Sequence, residues 1–387
     1  MINRILTPRE LLVGGGSVSR LPVVLQSLGV SNPLFVVDPG VFRLGLTDAI
    51  LETVRAKGLA LEVFFDVVED PTDVSVAQAV DRIVQGKHDG VVAIGGGSAI
   101  DTAKAAAIVH STGENIRELK VPRIVDLDVM PLVAIPTTAG TGSEVTRACV
   151  ITDTERHEKM LILGTAALPA AAIVDFELTL SCPYRVTVDT GLDALTHALE
   201  ALVNRNRNPH ADALALSALK LIGANLEIAC SEPDNRAARE AMMLGATHAG
   251  LAVSNTSTAL VHGLSRPIGA FFHVPHGLSN AMLLPLVTEY SVLSAPQEYA
   301  AASRALGFAT ETDSSKGANE KLIAGFRRLN SQLKVPTLRA YGIDGNRYME
   351  LRPEMARQAL QSGTPQNNPR VPELEEVIDL YDRAWAE

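Results

Sequence analysis

The sequence predicts two domains, an N-terminal α/β domain and an all-α C-terminal domain. The chain has 387 residues, more than one compact domain usually contains. Short continuous apolar runs alternate with amphipathic segments in the first half, which is typical of a parallel sheet covered by helices on both faces. The second half has helical periodicity with little strand signal, and Pro183 marks the change. We therefore place the domains at residues 1–180 and 181–387.

The elements of the first domain alternate regularly. Predicted strands cover residues 34–38, 61–65, 90–94 and 131–135. Predicted helices cover residues 41–57, 74–85 and 99–110. In the second domain, helices are predicted at residues 194–203, 209–226, 235–252, 257–268, 277–291 and 296–306, with surface loops at 310–320 and 362–372. Open α/β sheets bind ligands at the carboxyl ends of their strands, so the loops after strands are candidates for a binding site.

The composition argues against two classes of binding partner and favours a small molecule. The chain has 34 Lys and Arg against 44 Asp and Glu, a net charge of −10, and no run of basic residues, which argues against nucleic acid and anionic membrane. Its three cysteines are widely spaced and form no Cys-x-x-Cys pair, as expected for reduced thiols. The N-terminus does not resemble a secretory signal. We expect a soluble, cytoplasmic protein.

A glycine-rich loop after a predicted strand is a candidate phosphate site. It consists of Gly95, Gly96, Gly97 and Ser98, and the helix that it opens carries Asp101. Glycines allow a phosphate to approach the backbone, and the free amides of a helix N-terminus attract its charge. The loop is not the usual Gly-x-Gly-x-x-Gly fingerprint, so a strand-to-helix turn without a ligand remains an alternative.

A second loop and one carboxylate follow neighbouring strands. The loop after residues 131–135 offers four hydroxyl groups to ribose and phosphate oxygens, those of Thr137, Thr138, Thr141 and Ser143. Asp38 ends the strand 34–38, where a carboxylate accepts hydrogen bonds from a ribose and repels a 2′-phosphate, favouring NAD over NADP. Plain turns explain both features equally well in isolation.

Four residues of the second domain form a candidate metal site. Asp193 and His197 are four residues apart on a predicted helix, so their side chains lie on one face. His262 and His276 add two imidazoles. One carboxylate with three imidazoles suits iron or zinc better than magnesium or calcium. A surface or capping pair, with two satisfied core histidines, is the alternative.

These motifs resemble those of the iron-containing, or group III, alcohol dehydrogenase family. The matching stretches are Gly95-Gly-Gly-Ser-x-x-Asp-x-x-Lys104, Pro136-Thr-Thr-Ala-Gly-Thr-Gly-Ser-Glu144, Gly191-x-Asp-Ala-Leu-Thr-His-Ala-x-Glu200, and His262-Gly through Pro275-His-Gly277. They span essentially the whole chain. The resemblance implies a Rossmann-like NAD-binding domain, an all-α metal-binding domain of the dehydroquinate synthase type, and a homodimer or larger homo-oligomer.

The resemblance also implies a role for each matching residue. Fe(II), or Zn(II) in some relatives, is bound by Asp193, His197, His262 and His276. The pyrophosphate is held by Gly95, Gly96, Gly97 and Ser98, with Asp101 nearby, and the second cofactor loop by Thr137, Thr138 and Thr141. Lys159 matches a lysine near the ribose and nicotinamide, Leu178 an apolar residue against the adenosine, and Asp38 the carboxylate linked to NAD preference.

Three positions depart from the family pattern and concern the substrate. Arg266 stands where many relatives carry a histidine that relays a proton, and arginine cannot shuttle protons at neutral pH but can bind a carboxylate or sulfonate bidentately. An internal ion pair is an equally good reading of Arg266. His273 is a candidate replacement for the relay. Cys149, or Ala148, and Val253 stand where several relatives place a bulky aromatic, which implies a roomier pocket.

The sequence therefore predicts a metal-dependent, NAD-linked alcohol dehydrogenase or aldehyde reductase. Its expected substrate is a primary or secondary alcohol larger than ethanol, of the hydroxy-acid or another anionic type. The main alternative is an enzyme like maleylacetate reductase, which reduces an anionic unsaturated keto acid, although the complete ligand set counts against it. A dehydroquinate-synthase-like enzyme and a catalytically silent protein on the same scaffold are more distant alternatives.

Overall fold

The computed structural model describes residues 2–156 and 158–387. It divides the chain into two compact units, one of residues 5–182 and one of residues 183–387 together with the N-terminal residues as far as Arg4. The first unit is α/β and the second is helical, so the predicted fold class is confirmed.

A parallel sheet forms the centre of the α/β unit. Its strands pair in the order β1-β8-β5-β4-β2-β3, and each neighbouring pair is parallel. The bounds are β1 Glu10–Val13, β2 Pro33–Val37, β3 Glu62–Phe64, β4 Gly90–Gly95, β5 Leu132–Pro136 and β8 Ala171–Val174. Strands β2, β4 and β5, which precede the predicted binding residues, are therefore neighbours. Their carboxyl ends lie at one edge of the sheet.

Alternation of side chains along the strands separates two apolar cores. Leu34 and Val36 belong to one cluster of buried residues, whereas Phe35 and Val37 belong to another. Successive residues of a strand point to opposite faces, so the two clusters lie on opposite sides of the sheet. The flanking helices are α1 Leu21–Ser27, α2 Pro39–Arg43, α3 Asp48–Ala56, α4 Asp73–Gly86 and α5 Gly97–Thr112.

Two local predictions in this unit need correction. The helix predicted at residues 41–57 is divided into α2 and α3, because the chain between them turns at Gly45 with a φ of 70°. The sequence analysis also missed an antiparallel hairpin of β6 Ala148–Asp153 and β7 Glu158–Leu163. The register of the hairpin pairs Cys149 with Ile162 and Ile151 with Met160, and these side chains bury one face of it.

The helical unit packs around α6, which contacts α7, α8 and α10. The bounds are α6 Tyr184–Val203, α7 Pro209–Ser231, α8 Arg236–Ser254, α9 Leu260–Phe272, α10 His276–Ser291, α11 Pro296–Ala305, α12 Ser315–Gln332, α13 Leu338–Tyr341, α14 Gly345–Gln361 and α15 Leu374–Ala386. The loop predicted at residues 310–320 is wrong from Ser315 onward. Ser314 caps α12 there by accepting a hydrogen bond from the amide of Gly317.

One helix in the described part of the chain, α7, is long and apolar enough to cross a membrane by length and composition alone. It contacts α6, α8 and α11. Core helices of soluble proteins pass the same test, so this property is weak evidence for a membrane span.

Candidate functional site

Helix α6 carries the first two predicted metal ligands. Asp193 and His197 lie one turn apart and are 2% and 7% exposed. The Oδ2 atom of Asp193 lies 3.9 Å from Nδ1 of His197. A carboxylate and an imidazole on one helix face are thus buried beside each other.

Two more helices bring the remaining histidines to Asp193. Its Oδ1 atom lies 3.5 Å from Nε2 of His262 on α9 and 3.7 Å from Nε2 of His276, the first residue of α10. Gly277 allows His276 to come this close to Asp193. A Cβ atom at Gly277 would lie 2.1 Å from the carbonyl oxygen of Asp189 on α6. The Gly277 position therefore accepts no side chain at this helix contact.

Asp193, His262 and His276 form a group whose ligand atoms all lie within 4.8 Å of one another. His197 lies beside this group but outside it. Its ring stacks on that of His262, with ring centroids 4.5 Å apart, and its buried Nδ1 atom has no hydrogen-bond partner among the described residues. A buried nitrogen without a partner next to three converging ligand atoms fits a bound cation.

The charge state of the group also fits a cation. Burial alone would raise the pKa of Asp193, but the three histidines outweigh it and hold that pKa well below its usual range. Burial lowers the pKa of His197 to about 4, which leaves the ring neutral. Burial opposes charge on His262 as well, yet the carboxylates of Glu200 and Asp193 raise its pKa to about 9, so a metal competes with a proton there.

Asn280 is a member of this site that the sequence analysis missed. Its Nδ2 atom lies 2.7 Å from Oδ1 of Asp193, 3.2 Å from Nε2 of His262 and 3.3 Å from Nε2 of His276. One amide group has two hydrogens for these three ligand atoms, and its own Oδ1 atom has no hydrogen-bond partner in residues 2–156 and 158–387. The available signal was its spacing, four residues after His276 on one helix face.

The predicted cofactor residues of the α/β unit lie side by side. The amide of Thr137 donates to the carbonyl oxygen of Gly95 at 2.9 Å, and the amide of Asp38 donates to that of Ile94 at 2.9 Å. A Cβ atom at Gly97 would lie 2.9 Å from Cγ2 of Thr141. The ends of β2, β4 and β5 thus form one continuous surface of backbone amides and hydroxyl groups, beside the N-terminus of α5.

Asp101 and Ser143 bind each other instead of facing solvent. The carboxylate of Asp101 accepts hydrogen bonds from Oγ of Ser143 at 2.6 Å and from the amide of Val150 at 2.9 Å. Close by, the buried Lys104 donates to the carbonyl oxygens of Thr146 and Ala148. These contacts tie α5 to the loop after β5. The structure therefore gives Asp101 and Ser143 a role in positioning that loop, and their contact with the cofactor stays a prediction.

The other cofactor candidates have internal partners. Lys159 donates to Oγ1 of Thr152 at 2.9 Å and pairs with Asp70 at 3.1 Å. Leu178 is 8% exposed and packs in one of the two apolar cores. Asp38 caps α2 by accepting hydrogen bonds from the amides of Gly40 and Val41 through Oδ1.

The four substrate candidates differ in their surroundings. Cys149 is 1% exposed in an apolar core, so we withdraw it as a substrate contact. His273 is exposed at the end of α9 with a φ of 55°, outside the group of three ligands. Val253 is half-buried on α8. Arg266 is half-buried on α9, one turn after His262.

Arg266 is the substrate candidate that lies within electrostatic range of the metal group. Burial is the main reason that the pKa of His197 falls to about 4, and the positive charge of Arg266 contributes to that shift. Burial also lowers the pKa of Arg266 itself, and attraction to the Glu200 carboxylate opposes this. No hydrogen bond or ion pair of its guanidinium is found within residues 2–156 and 158–387, so the structure does not contain the internal ion pair considered as an alternative.

Comparison with known proteins covers both units. The family described as "Iron-containing alcohol dehydrogenase" matches residues 8–176, and "Fe-containing alcohol dehydrogenase family, C-terminal" matches residues 187–385. The chain is 34% identical over 377 residues to the NAD-dependent methanol dehydrogenase of Bacillus methanolicus. The alignment covers 97% of this chain and 98% of that protein.

Solved structures agree with this relationship. A crystal structure of 1,3-propanediol oxidoreductase superposes on this chain with a TM-score of 0.95 at 33% sequence identity. The match covers 99% of this chain and 100% of the oxidoreductase chain. A sulfoacetaldehyde reductase from Bifidobacterium kashiwanohense, in complex with NAD+, has a TM-score of 0.88 at 26% identity and covers 100% of this chain and 99% of its own. With the metal group and the cofactor surface described above, these matches show that the chain belongs to the iron-containing alcohol dehydrogenase family.

Proposed function

We propose that this NAD-dependent, iron-containing alcohol dehydrogenase acts on an alcohol or aldehyde that carries an anionic group, and that Arg266 binds that group. The family, the activity class and the two cofactors follow from the comparisons above. The anionic substrate is the proposed step. The observation that carries it is a half-buried guanidinium, one turn from a candidate metal ligand, with no hydrogen bond or ion pair in the described part of the chain.

Physical chemistry favours an anion at Arg266. Taking a guanidinium partly out of water costs free energy unless its donors are paired, so an unpaired one is retained at a cost to stability. A carboxylate or sulfonate of the substrate would supply two parallel charge-assisted hydrogen bonds. Glu200 attracts Arg266 electrostatically, but the hydrogen bonds of its carboxylate go to His262 and the start of α9.

The chemistry of the reaction assigns each part of the chain a task. When bound, NAD exchanges a hydride with the carbinol carbon, and the metal polarises the substrate oxygen as a Lewis acid. Asp193, His262 and His276 would hold the metal, and the loops after β4 and β5 would hold the cofactor. Arg266 would fix the anionic end of the substrate, so that its reactive carbon is held in one orientation.

Two comparisons bear on the choice of substrate. The sulfoacetaldehyde reductase named above acts, by its name, on an aldehyde with a sulfonate, and this supports an anionic substrate here. The alternative of a maleylacetate reductase gains no support from these relatives. The convergence of Asp193, His262 and His276 also counts against it, because that branch commonly lacks the full metal set.

The test compares matched two-carbon aldehydes. We would measure kcat/KM with NADH for acetaldehyde and glycolaldehyde, which are neutral, and for glyoxylate and sulfoacetaldehyde, which are anionic. The wild type should prefer an anionic member. Arg266→Ala should lower kcat/KM for anionic aldehydes by roughly 10- to 100-fold and for neutral ones by less than about 3-fold, because charge-assisted hydrogen bonds are lost only in the first group.

Two further variants sharpen the test. Arg266→Lys keeps the charge but not the planar fork, so it should recover part of the preference. Arg327→Ala removes an exposed arginine of α12 that pairs with Glu289, and it should leave both ratios unchanged. A wild type that prefers neutral aldehydes, or an Arg266→Ala variant that weakens both groups equally, would refute the proposal.

A further inference from the structure

Glu200 contacts two structures at once, the imidazole of His262 and the first turn of α9. Its Oε2 atom lies 2.6 Å from Nδ1 of His262. The same carboxylate accepts backbone hydrogen bonds from Ala259 at 2.8 Å, Val261 at 2.6 Å and His262 at 3.4 Å. Glu200 and His262 are 3% and 1% exposed, so water does not compete for these contacts.

The contacts determine which nitrogen of His262 carries a proton. A carboxylate that accepts three backbone amides is ionised and can only accept hydrogen bonds. The Nδ1 atom of His262 must therefore donate to it. The Nε2 atom is the nitrogen that faces Asp193 and His276, at the group of candidate ligand atoms.

We infer that Glu200 is a positioning residue for the metal: it fixes His262 in the tautomer whose Nε2 lone pair faces the ligand group, and it holds α9 in register with α6. Carboxylate partners of this kind orient metal-binding imidazoles and increase their basicity. Glu200 lies on α6 together with Asp193 and His197. One carboxylate thus links the two ligands of α6 to the ligand of α9.

The inference differs from a simple capping role. A residue that only caps α9 would need the three backbone contacts and no contact with the imidazole. In that case Glu200→Gln, which offers one acceptor oxygen where the amides of Ala259 and Val261 use two, would weaken the start of α9 but leave the protonated ring nitrogen of His262 unchanged. If Glu200 also fixes the tautomer, a glutamine disturbs His262 in either orientation. With its NH2 group toward Nδ1 it can only donate, and the ring proton then moves to Nε2. With its NH2 group on the other side it faces the amides of Val261 and His262, which are donors themselves.

The first experiment measures metal affinity. We would strip Glu200→Gln of metal, restore Zn(II) or Co(II) in competition with a chelator, and compare its Kd with that of the wild type. We expect affinity to fall by about 10- to 100-fold. Asp189→Asn is the matched control. It makes the same carboxylate-to-amide change on α6, at a residue bound to Arg185 and not to a ligand imidazole, and it should change affinity less than about 3-fold.

The second experiment observes the tautomer directly. Long-range ¹H–¹⁵N spectra of ¹⁵N-histidine-labelled, Zn(II)-loaded protein distinguish protonated from metal-bound ring nitrogens, and a His262→Gln sample assigns the signal. We expect a proton on Nδ1 and the metal on Nε2 of His262 in the wild type. Because this measurement needs no Glu200 variant, it decides the question even if Glu200→Gln does not fold.

Three results would overturn the inference. These are metal on Nδ1 in the wild type, unchanged affinity in folded Glu200→Gln, and equal losses in Glu200→Gln and Asp189→Asn. None of these results depends on the charge of the substrate, so the inference and the proposal for Arg266 can fail separately.

Discussion

Side chains at the candidate metal site are held in position by residues that are far away in the sequence. Asp193 meets Asn280, His262 and His276, and Glu200 meets the backbone of Ala259 to His262. Asn280 is fully buried, and its amide supplies the shortest contact to Asp193. A buried carboxylate that loses such a donor carries a desolvation cost that this hydrogen bond no longer offsets.

This predicts the effect of Asn280→Leu, which keeps the branched shape of the side chain and removes the amide. In chelator-treated protein the variant should lose about 1–3 kcal/mol of unfolding free energy, because Asp193 loses its donor. Restoring the metal should recover most of the loss, since the cation then neutralises the carboxylate. Thermal unfolding with and without metal checks this. A loss of equal size in both conditions would show that Asn280 matters only for packing.

At the scale of helices, the site depends on how closely α10 approaches α6. Gly277 follows His276, and a Cβ atom there would also lie 3.2 Å from Cβ of Asp193. The carbonyl oxygen that it would meet first belongs to the backbone of α6 and cannot rotate away. Any side chain therefore moves the start of α10, and His276 with it.

Gly277→Ala should for this reason lower both stability and metal affinity. Overpacking of this kind costs about 1–3 kcal/mol of unfolding free energy. Gly269→Ala on α9 is the control. Its Cβ atom would lie 3.4 Å from the carbonyl oxygen of Val274, an ordinary van der Waals contact, so the substitution should be tolerated. Chemical denaturation and metal content measure the two effects. If Gly277→Ala bound metal like the wild type, the close helix approach would be irrelevant to the site.

The loop before α12 gives a pH-dependent prediction at the same scale. Hydrogen bonds lower the pKa of Asp313 from 3.8 to about 2. The largest effect comes from Lys321, and smaller ones come from the amide and hydroxyl of Thr310. A carboxyl whose pKa is lower in the folded protein stabilises it above the unfolded pKa. That contribution should be complete above pH 4 and lost as the pH falls from 3.8 to about 2. The Tm difference between wild type and Asp313→Asn should shrink over this window, and a constant difference would contradict the assignment.

At the scale of the whole molecule, the two candidate sites belong to different units. The metal group lies in the helical unit, and the predicted cofactor loops lie in the α/β unit. A ligand stabilises the segments that bind it, by an amount that grows with the logarithm of its concentration relative to its Kd. Removal of each ligand should therefore affect a different set of amides.

Hydrogen exchange tests this division. Chelation should lower protection in α6, α9 and the start of α10, because Asp193, His262 and His276 lose their common partner. Addition of NAD to metal-free protein should raise protection in residues 95–101 and 137–143. A cofactor effect confined to the helical unit would show that these loops do not bind NAD.

The sequence by itself determined the fold class and the family, because both are expressed in local patterns. Apolar runs marked the buried parallel strands, and helical periodicity marked the second half. The motifs also identified residues that lie close together in the structure. Asp193, His262 and His276 converge, and the loops after β4 and β5 are neighbours. Their roles as ligands and cofactor contacts stay predictions.

The tertiary structure alone decided which polar groups are used internally. Asp101 and Ser143 were expected to meet the cofactor but bind each other across 42 residues of sequence, and Cys149 lies in the core. Glu200 and His262 are 62 residues apart, and Asp193 and Asn280 are 87 apart. Such partners carry no periodic signal, because a hydrogen bond depends on where helices and strands are packed and not on their order in the chain. Only the tertiary structure likewise showed that the guanidinium of Arg266 has no hydrogen bond or ion pair in the described part of the chain.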